Sequence, residues 1–214
     1  YFLSSLKKYS VNIKTFGSNS DANYSYKLIK LTNKKSYFDF SIGGKILLKN
    51  LSTNLLGEHN VQNLTAVLSI IDDLGYKIKK SHILSFRGTK RRMNILGKLK
   101  KTIFIDDYAH HPTEIEKLIN VISLYKKKNV CLIIEPHRYS RLNDLYGEYL
   151  SVLKNIKNLI ILKTYEAGES YKKGMKNSKN LVNDLNVLNN QKTKYIDNYS
   201  DLFILLDQYL KNNR

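Results

Sequence analysis

The chain has 214 residues, a formal net charge of +18, 42% hydrophobic and 11% aromatic residues, one cysteine and no tryptophan. That is enough apolar material for one large core or two modest ones, and no apolar run approaches the roughly 20 residues that a membrane-spanning helix needs. The charge invites a nucleic-acid or membrane-surface reading, but its distribution argues against one: lysine supplies 30 of the 36 basic residues and is spread along the chain, with no basic stripe and no aromatic–basic module of the kind that stacks bases.

The first residues, Tyr1-Phe-Leu-Ser-Ser-Leu-Lys-Lys8, place no basic stretch ahead of an apolar one and do not read as a signal peptide. With no initiator Met, the chain is expected to begin inside a longer protein. Alternating patterns predict strands at Val11–Phe16, Tyr24–Leu31, Tyr37–Ile42 and Lys45–Leu48, the last two joined as a hairpin at Gly43-Gly44. A helix follows over His59–Leu74, with Val61, Leu64, Leu68 and Ile71 on one stripe and Gly75 as its stop. A shorter helix at Lys80–Phe86 runs into Arg87-Gly88, a hinge that divides the chain into 1–87 and 88–214. Beyond it, strands at Thr102–Ile105, Asn129–Ile134, Asn158–Leu162 and Lys192–Ile196 alternate with helices at Pro112–Tyr125, Ser140–Leu153, Asn177–Leu188 and Tyr199–Leu210. Such a series predicts an α/β fold with a doubly wound, mainly parallel sheet that binds ligands beyond the carboxyl ends of its strands. Cys131, inside the apolar run Val130–Ile134, is expected to be a buried structural thiol, and a lone cysteine fits a reducing cytoplasm.

Scarce residue types show where chemistry is concentrated. Arg87, Arg91, Arg92, Arg138 and Arg141 fall in two short segments, leaving Arg214 at the C-terminus. Pro112 and Pro136 are the only prolines, and His110, His111 and His137 sit beside them. Where lysine is accepted nearly everywhere, arginine implies a need for its planar, bidentate fork. Asp106-Asp-Tyr-Ala-His-His-Pro-Thr-Glu114 follows a strand and opens a helix, with Pro112 suited to the first helical position and Glu114 to the positive helix end. Its carboxylates and imidazoles can hold a metal, exchange protons or hydrogen-bond a ligand. They can also be structural, with His111 as a cap and Asp106 satisfying buried amides. Glu135-Pro-His-Arg-Tyr-Ser-Arg141 repeats the arrangement after the next strand. Ser140 is a good N-cap, and Arg138 and Arg141 suit a carboxylate or phosphate, or else pair with surface acids. In Gly57-Glu-His-Asn-Val-Gln-Asn63, His59 and Asn63 share a helix face. An Asn amide matches the edge of adenine, although Asn near a helix start is commonly a cap. Phe86-Arg-Gly-Thr-Lys-Arg-Arg92 places cations at the hinge. Tyr165-Glu-Ala-Gly-Glu169 ends a strand with a loop bearing two acids, whose functional and structural readings are even. His82 reads as an ordinary helix-surface histidine and the tyrosines as packing residues.

Together these segments resemble the Mur ligases, and among them the branch that adds L-alanine. Gly57-x-His-Asn-Val-x-Asn63, Phe86-x-Gly-x-x-Arg-Arg92, Asp106-Asp-Tyr-Ala-His-His-Pro-Thr-Glu114, Pro136-His-Arg-Tyr-Ser-Arg141 and Ala167-Gly-Glu169 stand in the family's order and spacing over nearly the whole chain. The resemblance implies that 1–87 is the C-terminal part of the central ATP-binding domain. It implies that 88–214 is the Rossmann-like C-terminal domain, with its last strand missing. It further implies a cytoplasmic, ATP-dependent ligase of peptidoglycan synthesis that joins L-alanine to UDP-N-acetylmuramate through an acyl phosphate. By the same resemblance His59, Asn63, Arg91, Arg92 and Asp107 contact ATP; Tyr108, His110, His137, Arg138 and Arg141 hold L-alanine; and His110, Arg138 and Arg141 act in catalysis. The family's Gly-x-x-Gly-Lys-Thr/Ser phosphate loop, its Mg2+ ligands and its uridine-nucleotide domain are not among these 214 residues. The stretch is therefore expected not to catalyse alone, with the missing N-terminal half as its implied partner, small molecules as substrates, and no nucleic acid or membrane. A non-catalytic nucleotide-binding relic and a peptide-adding ligase of the same family stay open as alternatives. His137, Arg138 and Arg141 favour the alanine branch, because the peptide-adding relative shares the first His-His-Pro segment and not the second.

Overall fold

The computed structural model describes residues 13–125, 129–189 and 192–212. It separates into two compact units, Tyr1–Lys90 and Arg91–Arg214.

In the first unit, β1 (Phe16–Gly17), β2 (Tyr24–Leu31), β3 (Ser36–Ile42) and β4 (Lys45–Thr53) form one sheet in chain order. β1 lies parallel to β2, and the other pairs are antiparallel. Val11 and Asn12 of the expected first strand lie outside the described residues; of the remainder only Phe16 is in a strand. Gly43 and Gly44 turn the hairpin at φ 53° and 77°, a conformation that a residue without a Cβ adopts at little cost. β4 runs on past the expected end at Leu48 because its pairing with β3 shifts register and resumes as far as Ser36–Thr53. At that irregularity Asn50 takes φ 53° and its N–H donates to Asp39 Oδ1 at 2.6 Å, so a polar residue that would end a regular strand is absorbed as a bulge. Helices α1 (Glu58–Asp73) and α2 (Lys80–Ser85) cover the sheet. Val61, Leu64, Leu68 and Ile83 pack on Tyr24, Tyr26, Phe38, Phe40 and Leu51. α1 ends at Gly75, φ 78°, whose N–H and that of Tyr76 return to the carbonyls of Asp72 and Ile71.

The second unit begins with β5 (Asn94–Leu99) and β6 (Thr102–Asp106), an antiparallel hairpin. This corrects the expectation that Thr102–Ile105 opens the parallel series. Its turn is made by Lys100 at φ 55° rather than by Gly or Asn, so the usual hairpin signal is absent from the sequence. The parallel sheet is β7 (Cys131–Ile134), β8 (Asn158–Leu162) and β9 (Lys194–Ile196), in that order. Its helices are α3 (Pro112–Ser123), α4 (Tyr139–Asp144), α5 (Tyr146–Leu153), α6 (Ser178–Asn189) and α7 (Tyr199–Asn212). Alternation along β8 sends successive side chains to opposite faces. Leu159 and Ile161 join Ile115, Leu142, Tyr149, Leu153, Leu181 and Leu185 on one side. Ile160 and Leu162 meet Leu202 of α7 on the other. Helices thus cover both faces, and the doubly wound α/β expectation holds.

The helix expected over Ser140–Leu153 is two, broken at Leu145 (φ −105°, ψ 19°). Cys131 is exposed, not buried: it is the first residue of β7, and Leu132 and Ile134 are the ones that turn into the core. Among the described residues no helix is long and apolar enough to cross a membrane.

Candidate functional site

The loop after β6 is built by one carboxylate. Asp107 Oδ2 accepts the N–H of Met93 at 2.9 Å and Oδ1 accepts that of Ala109 at 2.8 Å. The acid that satisfies backbone amides is therefore Asp107 rather than Asp106. Tyr108 N–H donates to the carbonyl of Arg91 at 2.9 Å. The Arg91 guanidinium lies 4.6 Å from the centre of the Tyr108 ring, with Nε 3.7 Å from Asp106. Arg92 Nη1 stands 3.8 Å from Glu114 Oε1.

The start of α3 is a capping box made from contiguous residues. His111 Nδ1 accepts the N–H of Thr113, and Glu114 Oε2 accepts those of His110 and His111, with Pro112 in the first turn. Burial alone would raise the Glu114 carboxyl, but those two N–H groups, His110 and Arg92 bring it below its ordinary range. His111 is thus structural, as its cap reading anticipated, whereas His110 turns the other way. Its Nδ1 is 2.9 Å from the Tyr108 carbonyl and 3.6 Å from Glu114 Oε2. Its own carbonyl accepts a hydrogen bond from the fully buried Tyr149 hydroxyl. A proton on Nδ1, bonded to the Tyr108 carbonyl, leaves Nε2 as an acceptor.

The loop after β7 brings in the second segment. Arg138 N–H donates to the Tyr165 carbonyl and Tyr165 N–H to the Pro136 carbonyl, both at 2.8 Å, which sets His137 beside Tyr165. The His137 ring stacks on His110 with centroids 4.4 Å apart, and Tyr108 meets both imidazoles edge-on, at 5.0 and 5.6 Å. His137 Nε2 is 3.6 Å from Glu135 Oε2, and Glu135 Oε1 accepts the Tyr199 hydroxyl at 2.6 Å. Burial holds the His137 imidazole below its ordinary value, aided by His110, Arg141 and Arg91 and opposed by Glu135.

Ser140, expected to cap α4, sits inside its first turn; the N-cap is Arg138, at φ 69°. The acceptor that a cap would supply comes instead from Glu169, beyond β8. Its Oε2 accepts Ser140 N–H at 2.9 Å, and its Oε1 accepts Ser140 Oγ–H at 2.6 Å and Arg138 Nε–H at 2.8 Å. These bonds, the Ser140 hydroxyl foremost, hold the Glu169 carboxyl down to about 2. A cleft of about 450 Å³ opens at the carboxyl ends of β8 and β9, lined among others by Glu135, Tyr165, Glu166, Asp197 and Tyr199.

The structure therefore gathers Arg91, Tyr108, His110 and His137 into one ring cluster. His59, half-buried, and Asn63, exposed, lie on α1 of the first unit. Sequence reasoning missed Tyr149 and Tyr199, which support the cluster from remote positions and carry no local signal; Glu135 lies in a segment singled out there, but its own contact with His137 was not anticipated. No group of three His, Cys, Asp or Glu among the described residues can hold a metal ion.

The family model for the Mur ligase, glutamate ligase domain matches residues 91–213. A UDP-N-acetylmuramate–L-alanine ligase from Pelagibacter ubique is 36% identical over 205 residues, covering 92% of this chain and 42% of that protein. One from Wigglesworthia glossinidia brevipalpis is 34% identical over 215 residues, covering 94% and 45%. The crystal structure of UDP-N-acetylmuramate-alanine ligase from Thermotoga maritima aligns with TM-score 0.70 at 24% identity over 88% of this chain and 40% of its own. MurF from Acinetobacter baumannii aligns with TM-score 0.72 at 18% identity, over 100% of this chain and 44% of its own; at such identities the likeness is one of fold. The chain spans less than half the length of these two curated relatives. A family match over more than half of the residues, on the fold and the strand-end segments described above, places the chain in the Mur ligase family.

Proposed function

We propose that this chain is the part of a cytoplasmic UDP-N-acetylmuramate–L-alanine ligase that receives L-alanine and helps to hold ATP, with 1–87 as the C-terminal part of the central ATP-binding domain and 88–214 as the C-terminal domain. The observation that carries this reading is the meeting of Tyr108, His110 and His137 at the ends of β6 and β7, with Arg138 next in chain. In ligation through an acyl phosphate, the amino acid is held by its carboxylate while its amine stays free to attack. Arg138 and Arg141 supply the carboxylate clamp. His110, with Nδ1 bonded to the Tyr108 carbonyl, offers Nε2 as the acceptor for an amine proton. His137, kept neutral by burial, adds no positive charge that would repel the incoming ammonium.

Arg91 and Arg92 are assigned to the ATP phosphates and ribose, and His59 and Asn63 to the adenine. Asp107 is assigned to the ribose and phosphates with the two arginines; each of its oxygens accepts one amide, from Met93 and Ala109, which fixes the carboxylate and leaves acceptor capacity for a ligand. ATP brings the phosphoryl group that activates the muramate carboxylate. Since the described residues assemble no ligand set for Mg2+, no step is assigned to it.

The test mixes the chain with a separately expressed N-terminal half of a relative and follows phosphate release. Release is expected to require ATP, L-alanine and UDP-N-acetylmuramate together. Arg138→Ala is expected to cost about 2–3 kcal/mol in kcat/KM for L-alanine, the scale of a lost charge-assisted bond, with the KM for ATP unchanged. Equal losses for ATP and L-alanine would contradict the assignment, and preference for a peptide over L-alanine would move it to the peptide-adding branch.

A further inference from the structure

We propose that Glu169 is a positioning residue that turns Arg138 so that its two terminal amino groups, and not its Nε edge, meet the carboxylate of the incoming amino acid. The proposal rests on the reading of this site as an amino-acid site. A guanidinium offers two forks, one formed by Nε with the adjacent amino group and one by the terminal pair. Glu169 Oε1 occupies Nε at 2.8 Å. The Arg138 side chain is half exposed, and its terminal groups have no partner among the described residues.

Glu169 is itself held at both oxygens by the Ser140 amide and hydroxyl, so it is a fixed anchor rather than a mobile surface acid. Arg138 also holds a left-handed backbone, φ 69°, which is uncommon without glycine and persists only where neighbours impose it. One loop imposes both constraints. The Tyr165 carbonyl takes the Arg138 N–H, and four residues on Glu169 takes its Nε–H, after a turn through Ala167 and Gly168 at φ 49° and 84° closed by Glu169 N–H to the Glu166 carbonyl at 3.0 Å. An ordinary exposed ion pair needs neither a constrained backbone nor a partner bonded at both oxygens.

The rival role for Glu169 is purely to cap α4, and Ser140→Ala separates the two. The experiment uses the full 214-residue chain and follows the Arg138 Nε–Hε NMR signal, assigned by its loss in Arg138→Lys. The chain is titrated with L-alanine and with acetate, a carboxylate without an amine. In the wild type a shifted, slowly exchanging signal is expected. Glu169→Ala should return it to fast exchange and weaken binding of whichever carboxylate the wild type takes about tenfold or more. Glu169→Gln, which keeps size and one acceptor oxygen, should fall between, and circular dichroism confirms that each variant is folded. Ser140→Ala, which keeps the backbone amide on Glu169 Oε2, should lower Tm and cost clearly less of the signal and the affinity than Glu169→Ala. An unchanged signal or affinity in Glu169→Ala, the whole loss reproduced by Ser140→Ala, or a wild type that binds neither carboxylate would overturn the proposal. Binding of acetate without L-alanine would defeat the amino-acid reading and leave the orienting role of Glu169 standing.

Discussion

Of the six non-glycine residues with positive φ among those described, Arg91, Met93, Arg138 and Ala167 border the Tyr108–His110–His137 cluster. Such conformations cost of order 1 kcal/mol or more each; here Asp107 holds the Met93 N–H, Tyr165 and Glu169 hold Arg138, the Arg91 carbonyl accepts the Tyr108 N–H, and the Glu169 N–H closes the turn through Ala167 on the Glu166 carbonyl. Glu169 connects this scaffold to pH. Its carboxyl is drawn from the ordinary 4.5 to about 2 by the Ser140 hydroxyl and amide and by Arg138. A depressed folded-state value contributes stability above the ordinary value, and that contribution is lost as pH falls from about 4.5 through about 2. In urea melts across this window the wild type is expected to lose more stability than Glu169→Gln; parallel curves for the two would contradict the assignment. Scarce arginine, histidine and proline pointed to Arg138, His110 and His137 from sequence. Glu169 stood out only as one of two acids in the loop that ends β8, its functional and structural readings even, until the fold set it on Ser140 and Arg138.

At the scale of elements, the two helices that follow the site strands start in different ways. α3 carries its whole start locally, in His111-Pro-Thr-Glu114, and so could be read from contiguous residues. α4 borrows its acceptor from Glu169, across an intervening strand, so Ser140 looked like the cap while serving as a donor. His111→Ala is expected to destabilise the fold by about 0.5–2 kcal/mol, the cost of a lost N-cap. Amide exchange at Thr113 should accelerate, while α4 amides keep their protection; an unmoved Thr113 would show that the capping box contributes nothing. The β5–β6 hairpin escaped sequence reading for a related reason. A lysine occupies the left-handed turn position, and the cross-strand ladder from Asn94 opposite Asp106 to Leu99 opposite Thr102, rather than turn propensity, carries the hairpin.

For the molecule as a whole, β8 is the strand on which the second unit is organised. Leu159 and Ile160, adjacent in sequence, belong to different clusters. Leu159→Ala and Ile160→Ala are each expected to cost about 2–5 kcal/mol. Hydrogen exchange should show protection lost first in α6 for the former and in α7 for the latter; the same pattern from both would mean that the two faces open as one. The charge of +18 resides mainly in dispersed lysines, whereas the arginines are concentrated beside the residues described in the site.

The sequence by itself determined the family, the alternation of strand and helix beyond the hairpin, and the two segments that carry the scarce residues. All of these depend on periodicity or on contiguous residue types, which a linear text preserves. Only the tertiary structure decided that His110 stacks on His137, that Tyr149 holds the His110 carbonyl, and that Glu169 joins Arg138 to Ser140. A hydrogen bond forms only when donor and acceptor come within about 3 Å, and the approach of residues remote in sequence is set by how the strands and helices pack.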